Sequence, residues 1–236
     1  MGEPNTGGRA DRRGGGAGAV WLREEPDRPR RAAPLTRERI VETAVALLDA
    51  HGIDRLTMRR LAQHLTVTPT ALYWHLKTKD DVLDLAVDQI FGEVRLPAAG
   101  DDWRDDVRAL VCRWRAVMLR HPWAPSLIGR PMLGPNVLAR TEFLQAALVR
   151  GGFTGTELTV ATRMVANYVI GAALTEATWR QSEDPEVRAQ ARRHLAAKHT
   201  AYPTLIASGH LDDERWSDDD LFERGLDAIL GSAPRL

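Results

Sequence analysis

The chain has 236 residues, carries no net formal charge and is 44% hydrophobic, which is enough for one or two domains with a buried core. Its single cysteine, Cys112, excludes an internal disulfide and a cysteine pair for metal or redox chemistry. The N-terminus lacks the apolar segment of a secretory signal, and no apolar run approaches the roughly 18 residues of a membrane-spanning helix. We therefore expect a cytoplasmic protein with no membrane partner.

Residues 1–33 contain seven glycines and seven arginines with few apolar side chains, a composition typical of a disordered arm. The arginines Arg28, Arg30 and Arg31 form a basic cluster at its end, either in a solvated linker or in an arm that reaches a DNA groove. Residues 1–79 carry 14 Lys+Arg against 9 Asp+Glu. A basic N-terminal part followed by an acidic remainder suits a protein that contacts phosphates with one end only.

Residues 34–93 are predicted to form a small helical domain. Apolar residues recur at helical spacing from Ile40 to Leu48, and Gly52 is placed to end that helix. Four threonines precede helix starts and can each accept a backbone N–H as an N-cap: Thr36, Thr57, Thr68 and Thr78. The pattern predicts helices over 36–51, 57–65, 69–76 and 79–93.

Only Thr66 and Val67 separate the second of these helices from the cap of the third, which is the short connection of a helix-turn-helix. The third helix offers hydroxyl, methyl and aromatic groups that suit base edges and phosphate oxygens of DNA. The candidate DNA-binding residues are Thr57, Arg59, Arg60, Thr68, Thr70, Ala71, Tyr73, Trp74, His75 and Lys79. Tyr73 and Trp74 could instead be half-buried core aromatics, and Arg60 a solvated surface residue.

The remainder, residues 101–236, is also predicted to be helical, with breaks at Gly151-Gly152 and Pro185. The predicted helices lie near 102–120, 123–129, 136–151, 155–180, 185–199, 203–209 and 218–230. The expected fold class is therefore all-α, with a three-helix helix-turn-helix head and a larger helical body.

The runs LTMRRLAQHL and LYWHLKTKDDVLDLA resemble the TetR family of transcriptional repressors over roughly Thr36 to Gly92, and LYWH with the following Lys-Thr-Lys is most similar to the tetracycline-repressor branch. The resemblance implies a homodimer in which each subunit has a DNA-binding head and a body for ligand binding and dimerisation. It places Arg59 and Ala71 at base-reading positions. It places Thr57, Tyr73, His75 and Lys79 at contacts to the DNA backbone. Because Thr66 stands where many members have glycine, the operator sequence does not carry over.

The resemblance also places the predicted helix 155–180 and the last helix at a two-fold interface. The candidate interface residues are Val165, Val169, Ala172, Leu221, Phe222, Leu226 and Ile229. Both apolar faces could instead be core within one chain.

Aromatic and methionine side chains with a few polar groups would suit a pocket for a flat, mostly apolar ligand. The candidate ligand-binding residues are Trp114, Met118, Trp123, Phe143, Met164, Asn167, Tyr168, Thr175 and Trp179. Any one of them could be ordinary core. Where the tetracycline-repressor branch would carry its metal-ligating histidine, this chain has the segment Pro122 to Ile128. We expect no metal, no other cofactor and no tetracycline.

The favoured hypothesis is a transcriptional repressor that binds a palindromic operator in double-stranded DNA as a dimer and is released by a small aromatic or polycyclic effector. It would control an exporter or a biosynthetic gene. One alternative is a DNA-binding regulator with no small-molecule effector. The other is an enzyme acting through the body, although no nucleophile–base pair, phosphate-binding loop or metal-ligand set supports it.

Overall fold

The structure, a computed structural model, describes residues 35–129, 131–181, 185–209 and 217–231. The arm predicted over residues 1–33 lies outside these ranges. Within them, every regular element is helical, so the all-α prediction is confirmed. The elements are α1 (Arg37–Arg55), α2 (Met58–His64), α3 (Pro69–His75), α4 (Lys79–Glu93), α5 (Trp103–Arg120), a 3-10 turn (Pro125–Leu127), α6 (Pro135–Arg150), α7 (Gly155–Gln181), α8 (Pro185–Ala196), α9 (Pro203–Ser208) and α10 (Asp218–Gly231). We call α1–α4 the head and α5–α10 the body.

Local hydrogen bonds set the helix starts of the head. The four predicted threonine caps each accept the backbone N–H three residues on, at 3.0–3.3 Å. At α4 the cap is reciprocal, because Asp81 accepts the backbone N–H of Thr78 at 3.2 Å. Gly52 has φ of 73°, which interrupts α1 where the sequence predicted its end. The chain entering α2, α3 and α4 is therefore directed by contacts between close neighbours in sequence.

The helices α2 and α3 cross on a small apolar contact. Leu61 and Ala62 of α2 are at most 1% exposed, and Leu72 of α3 is fully buried. Leu76, which ends α3, is also fully buried. These side chains hold α3 against the head, so the opposite face of α3 is turned to solvent.

Helix α4 connects the head to the body. Its residues from Asp81 to Asp88 are all buried, because α1 covers one side and α5 and α6 cover the other. Asp88 accepts hydrogen bonds from the backbone N–H of Val137 at 2.9 Å and from the side chain of Asn136 at 3.0 Å. The start of α6 is thereby fixed to α4.

In the body, α5, α6, α7 and α10 share one core. Trp103 packs edge-on to Phe153 at 5.6 Å and lies so close to Gly151 that a Cβ there would be 2.5 Å from the indole. Helix α10 lies on α7, where Tyr168 stacks on Phe222 at 5.3 Å and donates its hydroxyl hydrogen to the Phe222 carbonyl at 2.9 Å. Gly151 thus leaves room for Trp103 at the end of α6, and the stacked, hydrogen-bonded Tyr168 fixes α10 against α7.

One sequence prediction about the body is wrong, and one helix of the body meets the length and composition of a membrane span. The helix expected over 123–129 is only a 3-10 turn, Pro125–Leu127, in which the backbone N–H groups of Leu127 and Ile128 donate to the carbonyls three residues back rather than four. Within the described ranges, Gly155–Arg180 of α7 is long and apolar enough to cross a membrane, with mean hydropathy 1.2 and 22% of that window buried. Length and composition alone are weak evidence for a span, since helices of soluble proteins also meet both criteria.

Candidate functional site

The outer face of α3 carries exposed aromatic and hydroxyl side chains. Tyr73 is 45% exposed and Trp74 is 63% exposed, so neither belongs to the core. Thr68 and Thr70 are exposed at the start of the helix, whereas Ala71 and His75 are half-buried beside them. One helix face therefore presents methyl, hydroxyl and aromatic groups together, which is the set that a major groove can accommodate.

Helix α2 adds a basic groove next to this face. Thr57, Arg59, Arg60, Gln63 and His64 line an open concavity of about 360 Å³. The Arg59 side chain is exposed, and Arg60 is half-buried. Two guanidinium groups at the start of a helix attract phosphate by charge and can donate several hydrogen bonds to it.

The connection between α2 and α3 holds a strained residue. Thr66 has φ of 56°, a left-handed backbone conformation that non-glycine residues rarely adopt. Its backbone N–H donates to the carbonyl of Gln63 at 3.1 Å, and that of Val67 to the carbonyl of Ala62 at 3.0 Å. These bonds keep the turn tight at the left-handed conformation that glycine adopts more readily.

The two lysines after α3 are both engaged within the chain. The Lys79 ammonium donates to the carbonyl of Ile53 at 2.8 Å, and the Lys77 ammonium donates to the carbonyl of Tyr73 at 3.1 Å. Lys79 therefore helps to hold α4 against the end of α1. Its predicted contact with a DNA phosphate would have to share or replace that bond.

The predicted ligand-binding residues do not form one pocket. Asn167, Tyr168 and Thr175 line a cavity of about 380 Å³ between α7 and α10. Met164 is 44% exposed and borders a separate groove of about 360 Å³ between α6, α7 and α10. Phe143 and Trp179 are half-buried and line neither of these two spaces.

Three other predicted ligand-binding residues serve packing in the structure. Met118 is fully buried, and Trp114 packs edge-on to Phe91 at 5.3 Å. The indole N–H of Trp123 donates to Asp49 at 2.6 Å, which places Trp123 where the head meets the body. Trp123 therefore lies at the junction of head and body and lines neither of the two spaces described above. The indole nitrogen of Trp114 is buried and meets no acceptor in the described part of the chain.

The cavity between α7 and α10 has a charged wall. Arg115 is 8% exposed and donates to Glu176 at 2.6 Å and to Asp219 at 2.6 Å. Burial alone would lower the pKa of Arg115, but the hydrogen bonds to these two carboxylates outweigh it and raise the pKa. Arg180 also donates to Glu176, at 2.5 Å. Among the described residues, no group of three or more His, Cys, Asp or Glu side chains is placed to hold a metal ion.

The predicted dimer-interface residues are mostly core. Val165, Val169 and Leu226 are fully buried and Phe222 is 3% exposed, because these side chains face the packing between α7, α5 and α10. These four side chains are therefore covered within the subunit itself. Ala172 and Ile229 are half-buried, and Leu221 is 49% exposed.

Four apolar side chains on the same helices are exposed, and one of them, Leu221, is among the predicted interface residues. Val160, Met164 and Leu174 on α7 are 50%, 44% and 41% exposed, and Leu221 on α10 completes the set. We call these four residues the exposed stripe. Their helical spacing was available in the sequence, but α7 is apolar on two faces and the sequence does not show which face the chain itself covers.

Two family models match consecutive parts of the chain. The model described as bacterial regulatory proteins of the tetR family matches residues 40–86, and the tetracyclin repressor-like C-terminal domain matches residues 96–231. The chain belongs to the TetR family. The resemblance predicted from the sequence, including the tetracycline-repressor branch, is confirmed.

Relatives agree with this assignment. An HTH-type transcriptional regulator of Saccharopolyspora erythraea is 46% identical over 219 residues, covering 92% of this chain and 91% of its own. The HTH-type transcriptional repressor DrrR1 of Streptomyces coeruleorubidus is 33% identical, covering 83% and 76%. Among solved structures, Streptomyces coelicolor ActR in complex with actinorhodin superposes with a TM-score of 0.75 at 31% identity, covering 85% of this chain and 95% of ActR. The protein is thus a TetR-family transcriptional regulator with a helix-turn-helix DNA-binding head.

Proposed function

We propose that this regulator is a repressor that binds a palindromic operator as a homodimer and is released by a small aromatic or polycyclic effector. The observation that carries the DNA-binding part is the exposed face of α3 beside the basic groove of α2. A protein in this role acts on chromosomal DNA, so the proposed location is the cytoplasm. The proposed target is a gene for an exporter or a biosynthetic enzyme.

The DNA contacts divide by chemistry. Thr70 and Ala71 present a hydroxyl and a methyl group to base edges, and Arg59 reaches either a base or a phosphate. Arg60, Thr57, Thr68, Tyr73, Trp74 and His75 lie around them and are assigned to the DNA backbone. Lys79 joins this set only if a phosphate competes with the Ile53 carbonyl for its ammonium.

The homodimer is supported by the exposed stripe. Four large apolar side chains on two neighbouring helices are unfavourable in water, and a second copy can cover them with the same surface. The predicted interface helices are retained in this proposal. Leu221 is kept from the predicted contacts, with Ala172 and Ile229 at the margin of the stripe. Val160, Met164 and Leu174 take the place of the four buried residues.

The effector proposal rests on the cavity between α7 and α10. Tyr168 and Ala172 give it an apolar wall, whereas Asn167 and Thr175 supply polar groups that could orient a ligand. Leu221 belongs to both the cavity and the exposed stripe, so a second subunit would cover the mouth. The complex of ActR with actinorhodin is a precedent for a small ligand in a protein of similar structure.

Operator binding tests the proposal. A duplex selected by the full chain from a random DNA library would be labelled, and its affinity measured by fluorescence anisotropy. Tyr73→Ala should weaken binding about tenfold, the effect of losing one hydrogen bond of about 1.5 kcal/mol. Tyr202→Ala is the matched control, since Tyr202 is 47% exposed but lies beside α9. Equal affinities for the two variants would refute the assignment of α3.

The effector is tested on the same complex. Chemically varied aromatic compounds would be screened for release of the labelled duplex, and the hits repeated with Thr175→Val. Release that depends on Thr175 supports the cavity. Failure of every compound to release DNA or to stabilise the protein against heat would favour a regulator without an effector.

A further inference from the structure

Polar side chains join the head to the body where α1, α4 and α5 meet. His121 directly follows α5 and is 8% exposed. Its Nδ1 lies 2.7 Å from Oδ1 of Asp49 on α1. Its Nε2 lies 3.2 Å from Oε1 of Glu93, the last residue of α4. One imidazole ring at the end of α5 in the body therefore faces carboxylates on two helices of the head, α1 and α4.

Two neighbours hold these carboxylates in place. The indole N–H of Trp123 donates to Oδ1 of Asp49 at 2.6 Å, and Arg120 donates to Oε2 of Glu93 at 2.6 Å. Burial alone would raise the pKa of Glu93, but the hydrogen bond from Arg120 and the charge of His121 outweigh it and lower the pKa. The charged groups that face His121 in the described part of the chain are thus Asp49 from α1, Glu93 from α4 and Arg120 from α5.

The chemistry of imidazole makes this arrangement depend on protonation. A neutral ring has one N–H, so it can donate to only one of the two carboxylates while its other nitrogen directs a lone pair at the second. A protonated ring donates to both. Histidine is the side chain that ordinarily changes charge between about pH 5 and pH 8. Both ties are therefore present when the ring is protonated, and one is lost as the pH rises and the ring becomes neutral.

We propose that His121 is a positioning residue for DNA binding, whose protonated ring fixes the end of α1 against the body and whose deprotonation loosens the head. A head that is already held in place loses less conformational freedom when the two heads of a dimer bind the two half-sites of the operator. The protonated state therefore binds the operator more tightly. This inference needs only the DNA-binding activity of the family and the proposed dimer. It does not depend on the effector.

The test compares pH profiles of operator affinity at constant ionic strength. The full chain and its variants would be titrated with a duplex selected from a random library, between about pH 6 and pH 8. The wild type should lose about threefold to tenfold more affinity over this range than His121→Gln or Asp49→Asn, as expected for one charged hydrogen bond at a partly exposed site. His51→Gln is the matched control, since His51 is exposed on the same part of α1 as Asp49. Its profile should follow that of the wild type.

A second measurement separates this role from a purely structural one. Nitrogen-15 NMR of the histidine rings, recorded at the pH of tightest operator binding, should show a proton on both nitrogens of His121, with the signal assigned by its absence in His121→Gln. Coincident pH profiles for the wild type, His121→Gln and Asp49→Asn would overturn the proposal, as would a neutral His121 ring at that pH. If His121→Gln fails to fold, Asp49→Asn retains the ring and decides the outcome. Failure of the wild type to bind any duplex at any pH would instead contradict the DNA-binding assignment.

Discussion

Replacement of Met164 tests whether the exposed stripe is the contact between subunits. Full burial of a methionine side chain is worth about 1.5–3 kcal/mol. Met164 is 44% exposed, so covering the rest would contribute about 1 kcal/mol in each subunit. Met164→Ala should therefore weaken the dimer by about 2 kcal/mol, or roughly 30-fold in Kd. Met164→Glu should cost at least about 4 kcal/mol, or roughly 1000-fold, because it also buries an unpaired carboxylate.

Sedimentation velocity over a range of protein concentrations would measure these constants. The subunit itself should keep its helix content in both variants, because position 164 is solvent-facing on α7 and alanine and glutamate both favour helices. Leu138→Glu is the matched control, since Leu138 is 49% exposed on α6 and outside the stripe. A Met164→Glu protein that dimerises as tightly as the wild type would refute the reasoning and place the interface elsewhere.

Three further predictions concern the turn, a close approach in the body and the DNA contacts. Because Thr66 has φ of 56°, Thr66→Gly should have a free energy of unfolding about 1 kcal/mol above that of Thr66→Ala in urea titrations, and equal values would show that the turn is not left-handed. Gly151→Ala should destabilise by about 1–3 kcal/mol, because the added Cβ would lie 2.5 Å from Trp103. Gly129→Ala, whose Cβ meets nothing within 4 Å, should leave the melting temperature nearly unchanged, and equal losses would argue against the Trp103 contact. Arg59→Ala should reduce the slope of log affinity against log salt by about one if Arg59 binds a phosphate, whereas an unchanged slope would assign Arg59 to a base.

The head was predictable because its signals are local. Each threonine cap acts on a backbone N–H three residues away, so Thr57, Thr68 and Thr78 define α2, α3 and α4 in the sequence itself. The burial of Leu72 then follows from helical periodicity, whereas the exposure of Trp74 was left open by the sequence and decided by the structure.

The body was less predictable because its contacts join distant residues. The segment expected to be a helix over 123–129 forms only a short 3-10 turn, and the apolar pattern does not distinguish these two conformations. In contrast, the bond between Trp123 and Asp49 spans 74 residues, and that between His121 and Asp49 spans 72. No spacing rule within a helix links such partners, so the sequence placed Trp123 in a ligand pocket and did not pair His121 with Asp49.

The amino-acid sequence by itself determined the helical class, the caps and turn of the DNA-binding head, and the family to which the chain belongs. Only the tertiary structure decided which of the two apolar faces of α7 is core and which is exposed. That choice separates Val165, which is fully buried, from Met164, which is 44% exposed one position earlier. The physical reason is that the hydrophobic pattern of a helix indicates only that an apolar face should be covered. Which face is covered depends on how α5 and α10 pack against α7, and these helices are remote from it in sequence.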